Sequence, residues 1–187
     1  TLSRSSAASD VYKRQVSNGL VLDKNGQKMS KRLGNAVDPF KTLEKYGPDA
    51  TRWYMISNAQ PWDNLKFDLD GVEGVTRKFF GTLHNTYSFF ALYANLDNYA
   101  FDDHNKSTSL NELDYWVLSK LHSLIKTVDA SYEDYEPTRA ARLIQSFVVD
   151  DLSNWYVRLC RKRFWKGEFT EDKKAAYDTL FICLRVD

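Results

Sequence analysis

The chain has 187 residues, 43% hydrophobic and 27% charged, and a formal net charge of +1. That length holds one domain with a sizeable core, or a helical domain with part of another, and no apolar run approaches a membrane span. A charge so near zero excludes affinity for nucleic acid through a generally basic surface, so any such binding must come from local clusters of cations.

Residues 1–15, rich in Ser and Ala and ending in Tyr12-Lys13-Arg14-Gln15, carry no apolar signal-peptide core. They do not read as the segment that precedes a strand, and are expected to be a non-native leader outside the fold. Gly19-Leu20-Val21-Leu22 then reads as a short buried strand. Asn25-Gly26 is a turn dipeptide and Gly34 a second permissive backbone position. Between them lie Lys28, Met29, Ser30, Lys31 and Arg32, three cations and a hydroxyl in a loop that can close on a polyanion. Asp38-Pro39 opens a helix with an N-cap and a first-turn proline. Strand, basic loop and helix start, in that order, suit a nucleotide site at a sheet edge. Two short helices broken at Gly47-Pro48 are expected next, then an irregular connector over residues 58–67 that carries Pro61 and Trp62.

Beyond the connector the period is helical. Val72, Val75, Phe79, Leu83, Tyr87, Phe90 and Tyr93 trace a first apolar stripe, which stops before the polar loop 102–109. Leu113, Val117, Leu121, Leu124, Ile125 and Val128 trace a second, with Asn111 as its cap. Ala140, Leu143, Ile144, Phe147, Val148, Leu152, Trp155 and Leu159 form a third, entered through Glu136-Pro137, and a fourth runs from Thr170 through Ala176, Leu180 and Leu184. The fold class is therefore mainly α: a short strand and basic loop with two small helices, followed by an antiparallel helical bundle. Phe79, Phe80, Phe89, Phe90 and Trp116 are expected in its core.

Core packing does not account for Asn154-Trp155-Tyr156-Val157-Arg158-Leu159-Cys160-Arg161-Lys162-Arg163-Phe164-Trp165-Lys166. Five cations fall there within about two and a half turns, with no carboxylate between them. A helix C-terminus alone favours cations. The interleaved rings of Trp155, Tyr156, Phe164 and Trp165 favour RNA, whose phosphates pair with Lys and Arg and whose unstacked bases find π-faces. Arg158, Arg161 and Arg163 are the first choices for contact, whereas some of Trp155 and Leu159 should face the core. Cys160 and Cys183 are too few for a disulfide framework, and His84, His104 and His122 have no ligand-like spacing, so no metal site is expected.

The string from Gly26 to Asn35, with Asp38-Pro39 and Tyr46-Gly47-Pro48-Asp49-Ala50-Thr51-Arg52 beyond it, resembles the second signature of class I aminoacyl-tRNA synthetases. Asn18-Gly19-Leu20-Val21-Leu22, Arg32 where many relatives carry serine, and Pro61-Trp62-Asp63-Asn64-Leu65-Lys66-Phe67 are together similar to the isoleucyl branch. The valyl and leucyl branches share the layout and stand as alternatives, as does a non-catalytic RNA-binding helical module. The Asn-Trp-Tyr string with its basic residue resembles the family's anticodon-binding bundle.

The resemblance implies that residues 16–67 are the end of a catalytic region with its stem-contact element, and residues 68–187 an anticodon-binding bundle. It further implies ATP-dependent activation of isoleucine and its transfer to tRNA(Ile), with ATP and Mg2+ as the substrate complex. Lys28, Met29, Ser30, Lys31 and Arg32 would bind ATP, with Lys31 the principal stabiliser of developing charge and Lys28 assisting. Asn154, Trp155, Tyr156, Arg158, Arg161, Lys162, Arg163 and Lys166 would bind tRNA. The family's first, His-containing signature has no counterpart here, so isoleucine would be bound through an absent catalytic half and the chain is not expected to aminoacylate alone. Val186-Asp187 is expected to be a truncation, and the location cytoplasmic, away from any membrane.

Overall fold

A computed structural model describes residues 17–185, so the expected leader and the last two residues lie outside the described part. The N-terminal unit contains β1 (Val21–Leu22), a 3-10 turn at Lys31–Leu33, α1 (Pro39–Tyr46), α2 (Pro48–Asn58) and β2 (Leu65–Lys66). Four long helices follow: α3 (69–96), α4 (Glu112–Glu133), α5 (137–165) and α6 (Glu171–Arg185).

Local chemistry sets most of these boundaries. The Asp38 carboxylate accepts the Phe40 and Lys41 amides at 2.9 and 3.4 Å and starts α1, with Pro39 at its first turn. Pro48 likewise opens α2. At α4, Asn111 and Asp114 form a reciprocal capping box, the Asp114 amide donating to Asn111 at 3.0 Å and the Asn111 amide to Asp114 at 2.9 Å. The Thr170 hydroxyl accepts the Lys173 amide at 3.2 Å ahead of α6.

Two expectations need correction in the N-terminal unit. The connector is not wholly irregular: β2 pairs in parallel with β1, Val21 opposite Leu65 and Leu22 opposite Lys66. Nor is the first strand buried, since Leu20 and Val21 are 57% and 41% exposed. The inward residues are Leu65 of the second strand and Phe67 just after it, which join Ala50, Tyr54 and Val72 in a small apolar cluster. Tyr54 ties this cluster to the chain around it. Its hydroxyl donates to the Lys66 carbonyl at 3.0 Å and accepts from the Asp68 amide at 3.2 Å.

The four long helices share one larger core, which includes Phe79, Phe90, Val117, Leu121, Leu152, Phe164, Tyr177 and Leu180. Phe79 and Phe90 are buried and Phe80, Phe89 and Trp116 pack partly buried against them, in line with the expected core aromatics. The first stripe errs at Tyr87, which is 56% exposed while Thr86 is buried. The larger departure is in the third stripe. Helix α5 is α-helical over Pro137–Ser146, π-helical over Phe147–Val157, and α-helical again over Arg158–Trp165. Hydrogen bonds to the fifth residue give more residues per turn than an α-helix, so inward positions drift to a spacing of four. Val148, Leu152, Tyr156, Cys160 and Phe164 are buried on that spacing, and Trp155 and Leu159 turn outward at 54% and 52% exposure.

The same shift buries Arg163. Its guanidinium meets the fully buried Asp114 carboxylate through two hydrogen bonds of 2.7 and 2.8 Å and the Asp172 carboxylate at 2.9 Å. The Tyr156 hydroxyl donates to the same Asp114 at 2.7 Å. Burial opposes the charge on Arg163, but Asp114 and Asp172 outweigh it and hold the group above its ordinary pKa. Burial, reinforced by Asp114, raises the Tyr156 hydroxyl well above the usual range. One carboxylate thus joins the start of α4, the end of α5 and, through Arg163, the start of α6.

A buried pair is costly to break from one side and cheap to replace as a whole. Asp114→Ala is expected to lower unfolding free energy by about 3–5 kcal/mol in urea denaturation. Asp114→Leu combined with Arg163→Met should recover part of that loss.

Candidate functional site

The basic loop is built around two side chains that sequence reasoning did not assign a role, Asp23 and Asn35. One Asp23 carboxylate oxygen accepts the Asn25 and Gln27 amides at 2.9 and 2.8 Å, and the other accepts the Asn35 amide group at 2.9 Å. Asn35 in turn accepts the Ser30 amide at 2.8 Å and donates to the Lys28 carbonyl at 3.3 Å. Asn35 therefore clasps the basic run at two backbone points while Asp23 clasps Asn35. The signal available in the sequence was Asp23-Lys24-Asn25-Gly26, in which an aspartate can bond its own backbone two residues on. Positive φ of 83° at Gly26 and 68° at Gly34 closes the loop at both ends, as expected of these two glycines.

Within that frame Lys28, Lys31 and Arg32 are exposed, and none forms an ion pair among the described residues. Ser30 is half-buried and its hydroxyl accepts the Arg32 amide at 3.2 Å, capping the 3-10 turn. Met29 points the other way and packs against the small cluster. The loop thus offers three free cations on a backbone fixed from below. Beside it an apolar cleft of about 320 Å³ is lined by Val21, Met29, Val37, Leu43, Met55 and Phe67.

The second candidate set divides in two. Asn154, Trp155, Arg158, Arg161, Lys162 and Lys166 are exposed along α5, with Trp165 also exposed at 56%. Arg161 lies over the Phe89 ring at 6.0 Å. Tyr156 and Arg163 do not join them. Tyr156 is fully buried and Arg163 keeps 12% of its side chain exposed, both committed to Asp114. Their expected contact with RNA is corrected to a structural role, because the π-helical turns rotate them into the core. The remaining face alternates cations with outward indoles, and includes the Trp155 ring 6.4 Å from Trp116 of α4.

A joint links the unit that bears the loop to the helix that bears this face. Arg142 of α5 donates to the Ser57 carbonyl at 2.7 Å and the Asn58 carbonyl at 2.9 Å, and the Thr138 hydroxyl lies 2.7 Å from the Ile56 carbonyl. These donors serve the carbonyls left open at the end of α2. Trp53 of α2 stacks on Phe79 at 4.5 Å and donates to Gln145 at 3.2 Å.

Comparison with known proteins agrees with both halves. A family model described as "tRNA synthetases class I (I, L, M and V)" matches residues 1–68, and one described as "Anticodon-binding domain of tRNA ligase" matches residues 114–186. The isoleucine–tRNA ligase of Cytophaga hutchinsonii is 68% identical over 174 residues, 92% of this chain and 16% of that protein. That of Bacteroides thetaiotaomicron is 66% identical over 92% of this chain and 15% of its own length, and that of Thermus thermophilus 44% identical over 92% and 17%. Among solved structures, Mycobacterium tuberculosis methionyl-tRNA synthetase in complex with methionyl-adenylate superposes with a TM-score of 0.68 at 22% identity, over 87% of this chain and 32% of that one. The Agrobacterium radiobacter K84 LeuRS-tRNA-LeuAMS complex gives 0.60 at 22% identity, over 89% and 20%. At that identity these two speak for the fold alone.

With the loop matched by a class I synthetase model and α4 to α6 by a tRNA-ligase anticodon-binding model, the chain belongs to the class I tRNA synthetases. Its branch is that of the isoleucine–tRNA ligases, and it spans about a sixth of the length of the relatives at 68% and 66% identity. Among the described residues no cluster of three potential metal ligands occurs, and no helix is long and apolar enough to cross a membrane.

The hydrogen bonds from Gln27 and Asn35 hold the Asp23 carboxyl below its ordinary value. A carboxyl depressed on folding adds stability above its unfolded pKa and loses it as pH falls through the folded one. The Asn25 and Gln27 amide resonances should therefore stay constant down to about pH 4 and shift only below it. In Asp23→Asn that acid transition should be absent, as followed by NMR titration.

Proposed function

We propose that the chain supplies the ATP-side signature loop and the tRNA anticodon-binding bundle of an isoleucine–tRNA ligase. The observation that carries this reading is the 68% identity to the Cytophaga hutchinsonii enzyme across both the loop and the α5 face. Its partners on this reading are ATP with Mg2+, tRNA(Ile) and, through the rest of the catalytic region, isoleucine, in the cytoplasm. Residues 16–67 form the catalytic-region end and residues 68–187 the bundle. The exposed apolar side chains near the loop, Leu20, Leu33 and Phe40 at 57%, 68% and 80%, suit a surface that the preceding catalytic region covers.

In the first step the isoleucine carboxylate attacks the α-phosphorus of ATP, and negative charge grows on the phosphate oxygens and the departing pyrophosphate. Lys31, exposed in the 3-10 turn, is the principal stabiliser of that charge, with Lys28 beside it. Ser30 and Met29 hold the loop's shape, one through the cap on Arg32 and the other by packing inward. A loop that meets the phosphates chiefly in the transition state raises turnover more than ground-state affinity. The tRNA lies on Asn154, Trp155, Arg158, Arg161, Lys162 and Lys166, where cations take phosphates and indoles take unstacked bases.

Carried into a chain extended to the full length of its relatives, Lys31→Ala is expected to slow adenylate formation on the order of a hundredfold or more, by ATP–pyrophosphate exchange. An exchange rate within about threefold of the parent overturns the assignment. For this chain, contact with three or four phosphates should give tRNA(Ile) affinity a log–log salt slope of roughly −2 to −3. A slope near zero speaks for a purely structural bundle. Arg158→Ala and Lys162→Ala should each bring the slope about 0.7 closer to zero, and Arg163→Lys should leave it unchanged.

A further inference from the structure

One turn of α5 from the exposed Trp155, α4 and α5 border a groove of about 270 Å³ whose lining includes Lys120, Ser123, Leu124, Thr127, Ser146 and Asp151. We propose that this groove is a subsite for one unpaired RNA base that presents N–H donors, guanine foremost, and that Asp151 reads it. The proposal rests on the RNA-binding reading of the α5 face and deepens it.

Lys120 and Asp151 link the groove to the indole pair. Trp116 and Trp155 meet across α4 and α5 with ring centroids 6.4 Å apart and planes tilted by 51°. Lys120 lies one turn beyond Trp116 and Asp151 one turn before Trp155, and these two also meet across the same helices at 3.4 Å. Lys120 stands over the Trp116 ring at 5.8 Å, which joins the two pairs into one patch. A base that enters the groove meets Asp151 in its wall, one turn of α5 from the exposed Trp155. A space of about 270 Å³ is just below the range of drug-sized ligand sites and suits a single base.

The chemistry of the lining selects the base. The hydroxyl protons are already used: Ser123 donates to the Ser119 carbonyl at 2.9 Å, Thr127 to the Ser123 carbonyl at 2.8 Å, and Ser146 to the Asp150 carboxylate at 3.0 Å. What these hydroxyls still offer is lone pairs. Asp151 adds two more acceptor oxygens, and Lys120 is the one charged donor in the lining. The long, half-exposed Lys120–Asp151 pair can open, the ammonium turning to a phosphate and the carboxylate to a base edge. Guanine presents adjacent N1–H and N2–H donors that a carboxylate accepts as a pair. Uracil presents two carbonyls around a single N–H and meets acceptors with acceptors.

The test uses this chain and two fluorescently labelled RNA hexamers, UUGUUU and UUUUUU, in an anisotropy titration at low salt. The chain is expected to bind the guanine-containing hexamer at least about fivefold tighter. Asp151→Asn should bring the two within about twofold without weakening the all-uridine complex. A wild-type ratio within twofold, or a preference that survives Asp151→Asn, overturns the subsite while leaving the RNA face intact. Should Arg158→Ala with Lys162→Ala leave both affinities unchanged, the RNA face falls, and the subsite with it. Far-UV circular dichroism confirms that each variant stays folded, and Asp151→Glu, which keeps the carboxylate, should retain the guanine preference.

Discussion

The Asp114 carboxylate is the point on which the bundle turns. It closes the capping box of α4, takes both arms of the Arg163 fork at 2.7 and 2.8 Å, and accepts the Tyr156 hydroxyl, all at zero exposure. A charge so buried is tolerable only when its hydrogen-bonding capacity is filled. The fillers come from the cap of α4 and from two positions on α5, and Arg163 reaches on to Asp172 of α6, so satisfying one carboxylate fixes how α4 and α5 meet and draws α6 to them. That geometry decides which side chains of α5 reach water. Arg158, Arg161 and Lys162 are available outside because Arg163 is held inside.

The two candidate sites depend on one another less by contact than by shared support. The loop is anchored from beneath by Asp23 and Asn35, its helices by the cluster around Tyr54, and α2 by the donors of Thr138 and Arg142. Those donors stand on the same helix that ends in the basic face. Packing through Trp53 and Phe79 stiffens the junction on its other side. On the proposed reading, with ATP at the loop and tRNA on the basic face, this junction would hold the two sites at a fixed separation.

Much of this was legible from short-range chemistry. The caps at Asp38 and Asn111, the break at Gly47-Pro48 and the two loop glycines each follow from one or two residues acting on their own backbone. What could not be read depended on partners far along the chain. Strand β2 exists because β1 lies beside it 44 residues earlier, and Lys66 has no strand signal of its own. Arg163 looked like one more cation in a basic run, and nothing local announced Asp114, 49 residues upstream. A period of 3.6 places the third apolar stripe inward as far as Leu152 and misplaces Trp155 and Leu159, because the helix has a wider turn over Phe147–Val157. Asp23 and Asn35 were visible in the loop sequence, but their joint role appears only once the loop has closed.

The π-helical turns of α5 carry a consequence for how such a surface can change. In an α-helix each residue advances the face by about 100°, so what decides the heading of Arg158 and Trp155 is the count of residues across 147–157 rather than their identity. Loss of a single residue there would relax the turns toward ordinary α-helix and swing the whole cationic face around its axis, with every side chain chemically unchanged. Conversely, a point substitution in that stretch can only alter one spoke of the wheel. Insertion and deletion, usually confined to loops, would here act as a steering adjustment within a helix.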